Sequence, residues 1–154
     1  TDPNADNYDP DKLEYDNSGF IAEVENKSPS CISTTPVDKA TSVSLGTTIA
    51  VTFCNEMDPN TVSVNTYDTS CSGSLSGSVL VSSDNFSTSN KCIPMSSTPP
   101  TPYNNNKIFK LEPSSNLADA THHIKVTTGV KDGSGISMAN DNSTSTGFTV
   151  SKFN

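Results

Sequence analysis

The heptapeptide TTIAVTF, residues 47–53, decides the fold class of this chain. Its apolar residues, Ile49, Val51 and Phe53, alternate with small or hydroxyl-bearing residues, so one face of an extended segment is apolar and the other is polar. Successive side chains of a β-strand point to opposite faces, whereas a helix would place its apolar residues three and four positions apart. The heptapeptide therefore predicts a half-buried β-strand.

Short segments of the same kind recur on both sides of this strand, separated by clusters of Pro, Gly and Asn. This spacing predicts an all-β sandwich. The predicted strands are residues 31–36, 47–54, 78–82, 107–111, 122–127 and 146–151. We expect connecting segments at 99–106 and 132–135, and a single helical turn at 57–62.

The composition argues against nucleic acid and anionic lipid as partners. The 154 residues carry no Arg, 9 Lys and 17 acidic residues, for a net charge of −8. Binding to phosphate-bearing polymers or anionic lipid surfaces needs a basic face, which this chain cannot form. No apolar run approaches the roughly 20 residues of a membrane-spanning helix. We expect no nucleic-acid partner and no membrane insertion.

Charge divides the sequence into two unequal parts. The first thirty residues hold eight acidic residues against two Lys, a net charge of −6, whereas the other 124 hold nine acidic residues against seven Lys, a net charge of −2. At this length, one compact domain with an appended segment is expected. We therefore predict an acidic N-terminal extension at residues 1–28 and a sandwich domain at residues 29–154.

The four cysteines are predicted to form two disulfides. None is part of a CxxC pair, which disfavours a zinc site. An antiparallel pairing of the first two predicted strands, centred on the loop near Ser42, places Cys31 opposite Cys54. This pairing leaves Cys71 with Cys92. Disulfides in a chain rich in Ser and Thr indicate export to an oxidising, extracellular compartment.

The start of the acidic extension carries oxygen ligands at near-alternate positions. These residues are Asp2, Asn4, Asp6, Asp9 and Asp11. Calcium sites use such ligands, but an EF-hand beginning at Asp2 fails, because its sixth position is Asn7 instead of Gly and its twelfth is Leu13 instead of Glu. The spacing is closer to the aspartate-rich calcium repeats of thrombospondin-like linkers. Two interpretations stay open, a Ca²⁺-binding segment and a solvated acidic tail.

The extension also contains a strand pattern without a partner, GFIAEVE at residues 19–25. Its apolar face would carry Phe20, Ala22 and Val24, and its other face Ile21 and Glu23. A strand with an apolar stripe must be covered, either at an edge of its own sandwich or at that of a neighbouring molecule. We expect these five residues to form an intersubunit strand.

Nothing in the sequence assembles a catalytic site. His122 and His123 are neighbours on a predicted strand, so their side chains point to opposite faces and cannot share one metal or substrate. No serine lies in a G-x-S-x-G elbow. We therefore expect a protein that is not an enzyme and needs no cofactor, with Ca²⁺ as the one candidate ligand.

Two long stretches and a closing tetrapeptide carry a family resemblance. STTPVDKATSVSLGTTIAVTFCNEMDPNTV at 33–62, FKLEPSSNLADATHHIKVTTGVKDGSGISM at 109–138 and GFTV at 147–150 resemble, in this order, the bacterial Ig-like domain of S-layer and other secreted surface proteins. The resemblance departs at the His pair, where the family usually has Tyr. It implies an Ig-like β-sandwich with a structural or adhesive role at the cell surface.

The quoted motifs also imply local roles. Met57 and Pro59 are expected to close one end of the sandwich, with Asp58 as the N-cap of a short turn. The glycines Gly133 and Gly135 are expected to supply the positive φ of a tight turn.

Two functions follow from these observations. The first is a secreted structural subunit that forms a surface fibre by lending its N-terminal strand to the next subunit. The second is an adhesive or spacer module of a longer surface protein, with the acidic segment as a calcium-stiffened linker. The partners would be further copies of the chain or other surface-protein domains, respectively.

Overall fold

A computed structural model of the chain describes residues 29, 31–66, 69, 77–86, 91–96 and 100–152. These residues form two antiparallel sheets and one turn of 3-10 helix at Pro59–Thr61. The strands are β1 (Ile32–Thr35), β2 (Ile49–Phe53), β3 (Val79–Ser82), β4 (Thr101–Tyr103), β5 (Ile108–Leu111), β6 (Thr121–Val126), β7 (Asn142–Ser143) and β8 (Phe148–Thr149). The predicted all-β sandwich is confirmed.

The first sheet has the strand order β1-β2-β5-β4. Its central strand β2 buries Ile49, Val51 and Phe53 and leaves the alternate residues half-buried, as the heptapeptide predicts. The antiparallel register of β1 and β2 pairs Ile32 with Phe53. One step beyond this pair, the predicted Cys31–Cys54 disulfide is present, with the two Cα atoms 5.4 Å apart.

The second sheet is built around β6. This strand pairs with β3 on one side and, on the other, with β8 at its beginning and with β7 at its end. Apolar side chains from both sheets meet in one core that includes Met57, Phe109, Ile124 and Phe148. The edge-to-face contact of Phe53 and Phe109, with ring centroids 5.9 Å apart, lies in the first-sheet half of this core.

After β1 the chain crosses from the first sheet to the second. The crossing follows a cis peptide bond between Thr35 and Pro36. The backbone N–H of Lys39 then donates to the carbonyl of Gly147 at 2.7 Å, and that of Val43 donates to the carbonyl of Thr149 at 3.0 Å. The N-terminal strand region therefore contacts both sheets and holds one side of the sandwich together.

The short helical turn forms where it is expected, but the residues that close the sandwich end differ. Asp58 is the N-cap, and its Oδ1 accepts a hydrogen bond from the backbone N–H of Asn60 at 3.0 Å. Met57 is buried as predicted, whereas Pro59 is exposed and Val62 is buried instead. Pro59 occupies the first helical position on the outside of the turn, so the residues flanking the turn point inward.

Strand β4 lies inside a segment predicted as a connection, residues 99–106. Its three residues are exposed and form the edge of the first sheet, where a strand containing Pro102 is tolerated. A hairpin loop joins β4 to β5 through Asn104, Asn105 and Asn106, all with positive φ (53°, 56° and 62°). Asn tolerates this left-handed conformation better than most residues.

Three further details differ from the sequence predictions. The strand predicted at 146–151 is reduced to Phe148–Thr149, and the two-residue β7 was not predicted. In the turn before β7, Gly135 has the expected positive φ of 86°, whereas Gly133 does not have a positive φ. Gly133 donates its N–H to the carbonyl of Glu56 at 2.9 Å, so it links this turn to the end of the first sheet.

Candidate functional site

The outer strands of both sheets are the places where another chain could add, because edge strands expose unpaired main-chain groups. The edge at β3 is already covered. Val79 bridges to Val64 and Ser82 bridges to Cys92. In addition, the N–H of Ile93 donates to the carbonyl of Val81 at 2.8 Å.

The edge at β4 is blocked by a proline. The N–H of Phe53 donates to the carbonyl of Lys107 at 2.7 Å, so the odd-numbered residues of β5 turn their main-chain groups toward β2. On its other side, β5 bonds to β4 through Ile108 and Lys110, which pair with Tyr103 and Thr101. The main-chain groups of Pro102, between these two, therefore face outward. Proline has no N–H, so this edge cannot donate a hydrogen bond to an added strand.

The edge at β1 is open. The N–H of Cys54 donates to the carbonyl of Cys31 at 3.1 Å, so Cys31, Ser33 and Thr35 turn their main-chain groups toward β2. Ile32 and Thr34 turn theirs away from the sheet, and no other main chain in the described part of the molecule bonds to them. This edge therefore offers two donors and two acceptors.

A groove of about 340 Å³ runs beside the open edge, between β1 and the chain that contains β7. Ile32, at the side of the groove, is half-buried and packs against the core. Val37, which follows β1, is 61% exposed and is one of two large apolar side chains in the described residues that are open to solvent. The residues lining the groove are Ile32, Ser33, Thr34, Val37, Asp38, Asn142, Ser143, Thr144 and Ser145.

Asp38 holds the two sides of this groove together. Its Oδ1 accepts hydrogen bonds from the N–H of Gly147 at 2.6 Å and of Thr146 at 3.1 Å, and its Oδ2 accepts one from the hydroxyl of Ser145 at 2.9 Å. These bonds, led by that from Gly147, hold the pKa of the Asp38 carboxyl below its ordinary value of 3.8. These bonds link the chain that follows β1 to the segment between β7 and β8.

The other predicted site residues fall partly outside the described residues. Cys92 is a disulfide-bonded cysteine, but Cys71 lies outside the described residues, so their pairing stays a prediction. The five candidate calcium ligands and the intersubunit strand also lie outside the described residues; these are Asp2, Asn4, Asp6, Asp9 and Asp11, and Phe20, Ile21, Ala22, Glu23 and Val24.

The two histidines lie on opposite faces of β6. His122 faces the core, where its ring stacks on Phe148 with centroids 5.6 Å apart and its Nδ1 is 3.1 Å from the carbonyl oxygen of Ala120. Burial lowers the pKa of His122. The hydrogen bond to Ala120 raises it by a smaller amount, and repulsion from His123 lowers it further. His122 is therefore a neutral core residue. His123 is only 9% exposed, although its face of the strand points away from the core.

Neither a metal cluster nor a membrane span is found in the residues that the structure describes. No three His, Cys, Asp or Glu side chains lie together in a way that could hold a metal ion. None of the described helical segments has the length and apolar character needed to cross a bilayer.

Two antiparallel sheets packed face to face around one apolar core define an Ig-like β-sandwich. The sequence matches the family model described as the bacterial Ig-like domain over residues 25–150, and the chain belongs to this family.

Solved structures also match the fold. One is the surface layer protein SbsC, domains 1-6, with a TM-score of 0.54 and 16% sequence identity. The match covers 85% of this chain and 15% of that chain. At this identity the likeness concerns the fold alone. A search of curated proteins found no match.

Proposed function

We propose that this protein is a non-catalytic structural module of the bacterial cell surface that assembles into a fibre through its N-terminal strand. The observation that carries the proposal is the apolar stripe of Phe20, Ala22 and Val24 immediately ahead of the sandwich. The family match begins at residue 25, so the segment that is predicted to form this strand precedes nearly all of the matched residues. An additional apolar strand needs a surface to cover it.

The energetics favour burial of this stripe. Covering one large apolar side chain stabilises a complex by about 1.5–3 kcal/mol, and the stripe has two such side chains and an alanine. If the covering surface belongs to the next subunit, each subunit donates a strand at one place and accepts one at another. Such head-to-tail contacts do not close on themselves and produce filaments.

The extracellular location rests on two observations. The Cys31–Cys54 disulfide is typical of oxidising compartments. SbsC, whose structure shares the fold, is a surface layer protein. The partners of this chain would be its own copies.

A second function is supported by the size of the SbsC structure, of which this chain spans only 15%. Domains of this fold occur there within a longer chain. The present chain would then be an adhesive or spacer module of a larger surface protein, and residues 1–28 would form a calcium-stiffened linker to its neighbour.

The two functions are separated by comparing the full chain with a variant lacking residues 1–26. The fibre proposal predicts that the full chain scatters light as a polymer and forms filaments in negative-stain electron microscopy, while the truncated chain stays a folded monomer. The linker function predicts monomers in both cases and a Ca²⁺-dependent change in the hydrodynamic radius of the full chain alone. Filament growth by the truncated chain would contradict the fibre proposal.

A further inference from the structure

We propose that the open edge of β1, with the groove beside it, is the acceptor site for the residue 19–25 strand of a second copy. This inference rests on the proposed fibre function and adds the surface that receives the strand. Of the sheet edges, β3 is covered by neighbouring chain, β8 is covered by residues 39–43, and β4 presents Pro102 outward. The edge at β7 borders the same groove as β1. The β1 edge presents the main-chain groups of Ile32 and Thr34.

The side chains of the same two residues determine which face of the added strand turns inward. Ile32 and Thr34 are half-buried, whereas Ser33 and Thr35 are exposed. Residues that exchange both hydrogen bonds across an antiparallel pair have side chains on the same face of the sheet. The residues bonded to Ile32 and Thr34 must therefore carry apolar side chains.

The segment 19–25 meets this requirement when its even-numbered residues pair with Ile32 and Thr34. Pairing Val24 with Ile32 and Ala22 with Thr34 directs the apolar stripe toward the groove. A shift by one residue would direct Glu23 and Glu25 there instead, because each one-residue shift exchanges the faces of a strand. The charge pattern of the donor thus specifies the parity of the register.

The position of Val37 favours the antiparallel direction. With Val24 at Ile32, the donor continues past the end of β1 and brings Phe20 toward Val37, which is 61% exposed. The largest side chain of the stripe then covers the exposed apolar residue at this end of the groove. Ile21 and Glu23 point away from the groove.

The occupant is a second copy because the proposed fibre requires each subunit to receive the strand of another subunit. A return of the strand onto its own β1 in the same register would use residues 25–31 as the connecting loop. The double variant described below distinguishes this arrangement from strand exchange.

Cross-linking between two populations of full-length chain tests the site and the occupant together. One population carries Ala22→Cys and the other carries Thr34→Cys, and the mixture is treated with a mild oxidant. We expect a disulfide-linked heterodimer. Two controls should not cross-link: Ala22→Cys mixed with Tyr103→Cys at the β4 edge, and Ile21→Cys mixed with Thr34→Cys, where the donor side chain lies on the wrong face.

A second variant removes one of the two outward N–H groups of the acceptor edge, together with the Thr34 hydroxyl, which donates to the carbonyl of Pro36 at 2.9 Å. Thr34→Pro mimics Pro102, which shows that this sheet accepts an outward-facing proline in an edge strand. We expect this variant to keep the circular dichroism spectrum of the native chain and to lose filament formation completely. The matched control, Pro102→Thr, should assemble as the native chain does.

The outcomes separate the acceptor site from the fibre proposal. Filaments that persist in Thr34→Pro without the predicted heterodimer would overturn the β1 site and leave the fibre proposal standing. Monomeric native chain would overturn both. A cross-link formed only within single chains of the double variant Ala22→Cys/Thr34→Cys would show that the strand folds onto its own β1, and would overturn the second copy as occupant.

Discussion

At the scale of single residues, His122 is a core side chain that stays neutral. Its ring is 0% exposed and stacks on Phe148, and its Nε2 has no hydrogen-bond partner in the described part of the chain. A protonated imidazole donates from both nitrogens, so protonation would leave a buried, charged N–H unpaired. The cost of protonating His122 in the folded state is the cause of its lowered pKa.

The lowered pKa of His122 predicts a loss of stability in mild acid. Its folded-state pKa lies below the ordinary value of 6.5, so the unfolded chain binds the proton more readily. We expect the free energy of unfolding to fall as the pH falls below about 6.5 toward the folded-state pKa. The free energy of unfolding, measured in urea between pH 8 and pH 5, should depend less steeply on pH in His122→Phe than in the native chain. The control Phe109→Leu, in the other sheet, should keep the native slope; an unchanged slope in His122→Phe would contradict this prediction.

Two glycines with nearly the same φ form a matched pair. Gly147 (φ 87°) packs against β6, where an added Cβ would lie 2.5 Å from the carbonyl oxygen of His122, whereas Gly135 (φ 86°) has open space around it. Alanine at either site adopts an unfavourable left-handed conformation at a cost of about 1–2 kcal/mol. Overpacking adds about 1–3 kcal/mol at Gly147. In urea unfolding, Gly147→Ala should therefore destabilise the domain more than Gly135→Ala; equal losses would contradict the close packing.

At the scale of the elements, β1 is held by covalent and noncovalent contacts on one side only. The disulfide fixes its beginning and β2 pairs along its length, while its other edge is open. The chain beyond it is anchored to the second sheet through Asp38 and Lys39. This arrangement leaves the outer edge of β1 accessible.

Removing the disulfide tests how far β1 depends on it. The bond closes a loop with a sequence separation of 23, and such a loop contributes about 3 kcal/mol in the chain-entropy account. We expect Cys31→Ala/Cys54→Ala to lose about that much free energy of unfolding in a urea titration. The control Ser33→Ala/Asn55→Ala changes exposed neighbours and should stay within about 0.5 kcal/mol of the native chain. A loss no larger than that of the control would show that pairing with β2 alone holds the strand.

The sequence predicted the elements whose hydrophobic pattern is long enough to read. β2 and β5 show clear alternation, and the position of the two cysteines at the ends of β1 and β2 specified their pairing. The strand β4 was missed because its proline and the following Asn residues are typical of a connection. β7 and β8 have two residues each, which is too short for any periodicity.

The acceptor edge could not be predicted from the sequence. Its openness depends on which main-chain groups of Ile32 and Thr34 turn outward, and that follows from the register with β2. The groove depends on the meeting of β1 with the chain of β7, which are about 110 residues apart. Long-range packing of this kind leaves no local pattern.

At the scale of the whole molecule, the chain combines a sandwich of the bacterial Ig-like family with an acidic N-terminal segment that is predicted to carry a strand. In the proposed filament, the donor segment and the acceptor edge that hold neighbouring subunits together belong to the same chain. A filament of such modules would be held at each joint by one added strand. The negative charge of the extension would also disfavour lateral association of filaments at low salt.

The most direct test of this account is the assembly state of the full-length chain in non-reducing buffer, measured by light scattering and negative-stain electron microscopy beside Phe20→Asp/Val24→Asp. We expect filaments for the native chain and folded monomers for the variant, because two carboxylates would face the apolar side of the groove. The control Ile21→Asp, on the opposite face of the strand, should still form filaments. A monomeric native chain, or filaments formed equally well by Phe20→Asp/Val24→Asp, would contradict the account.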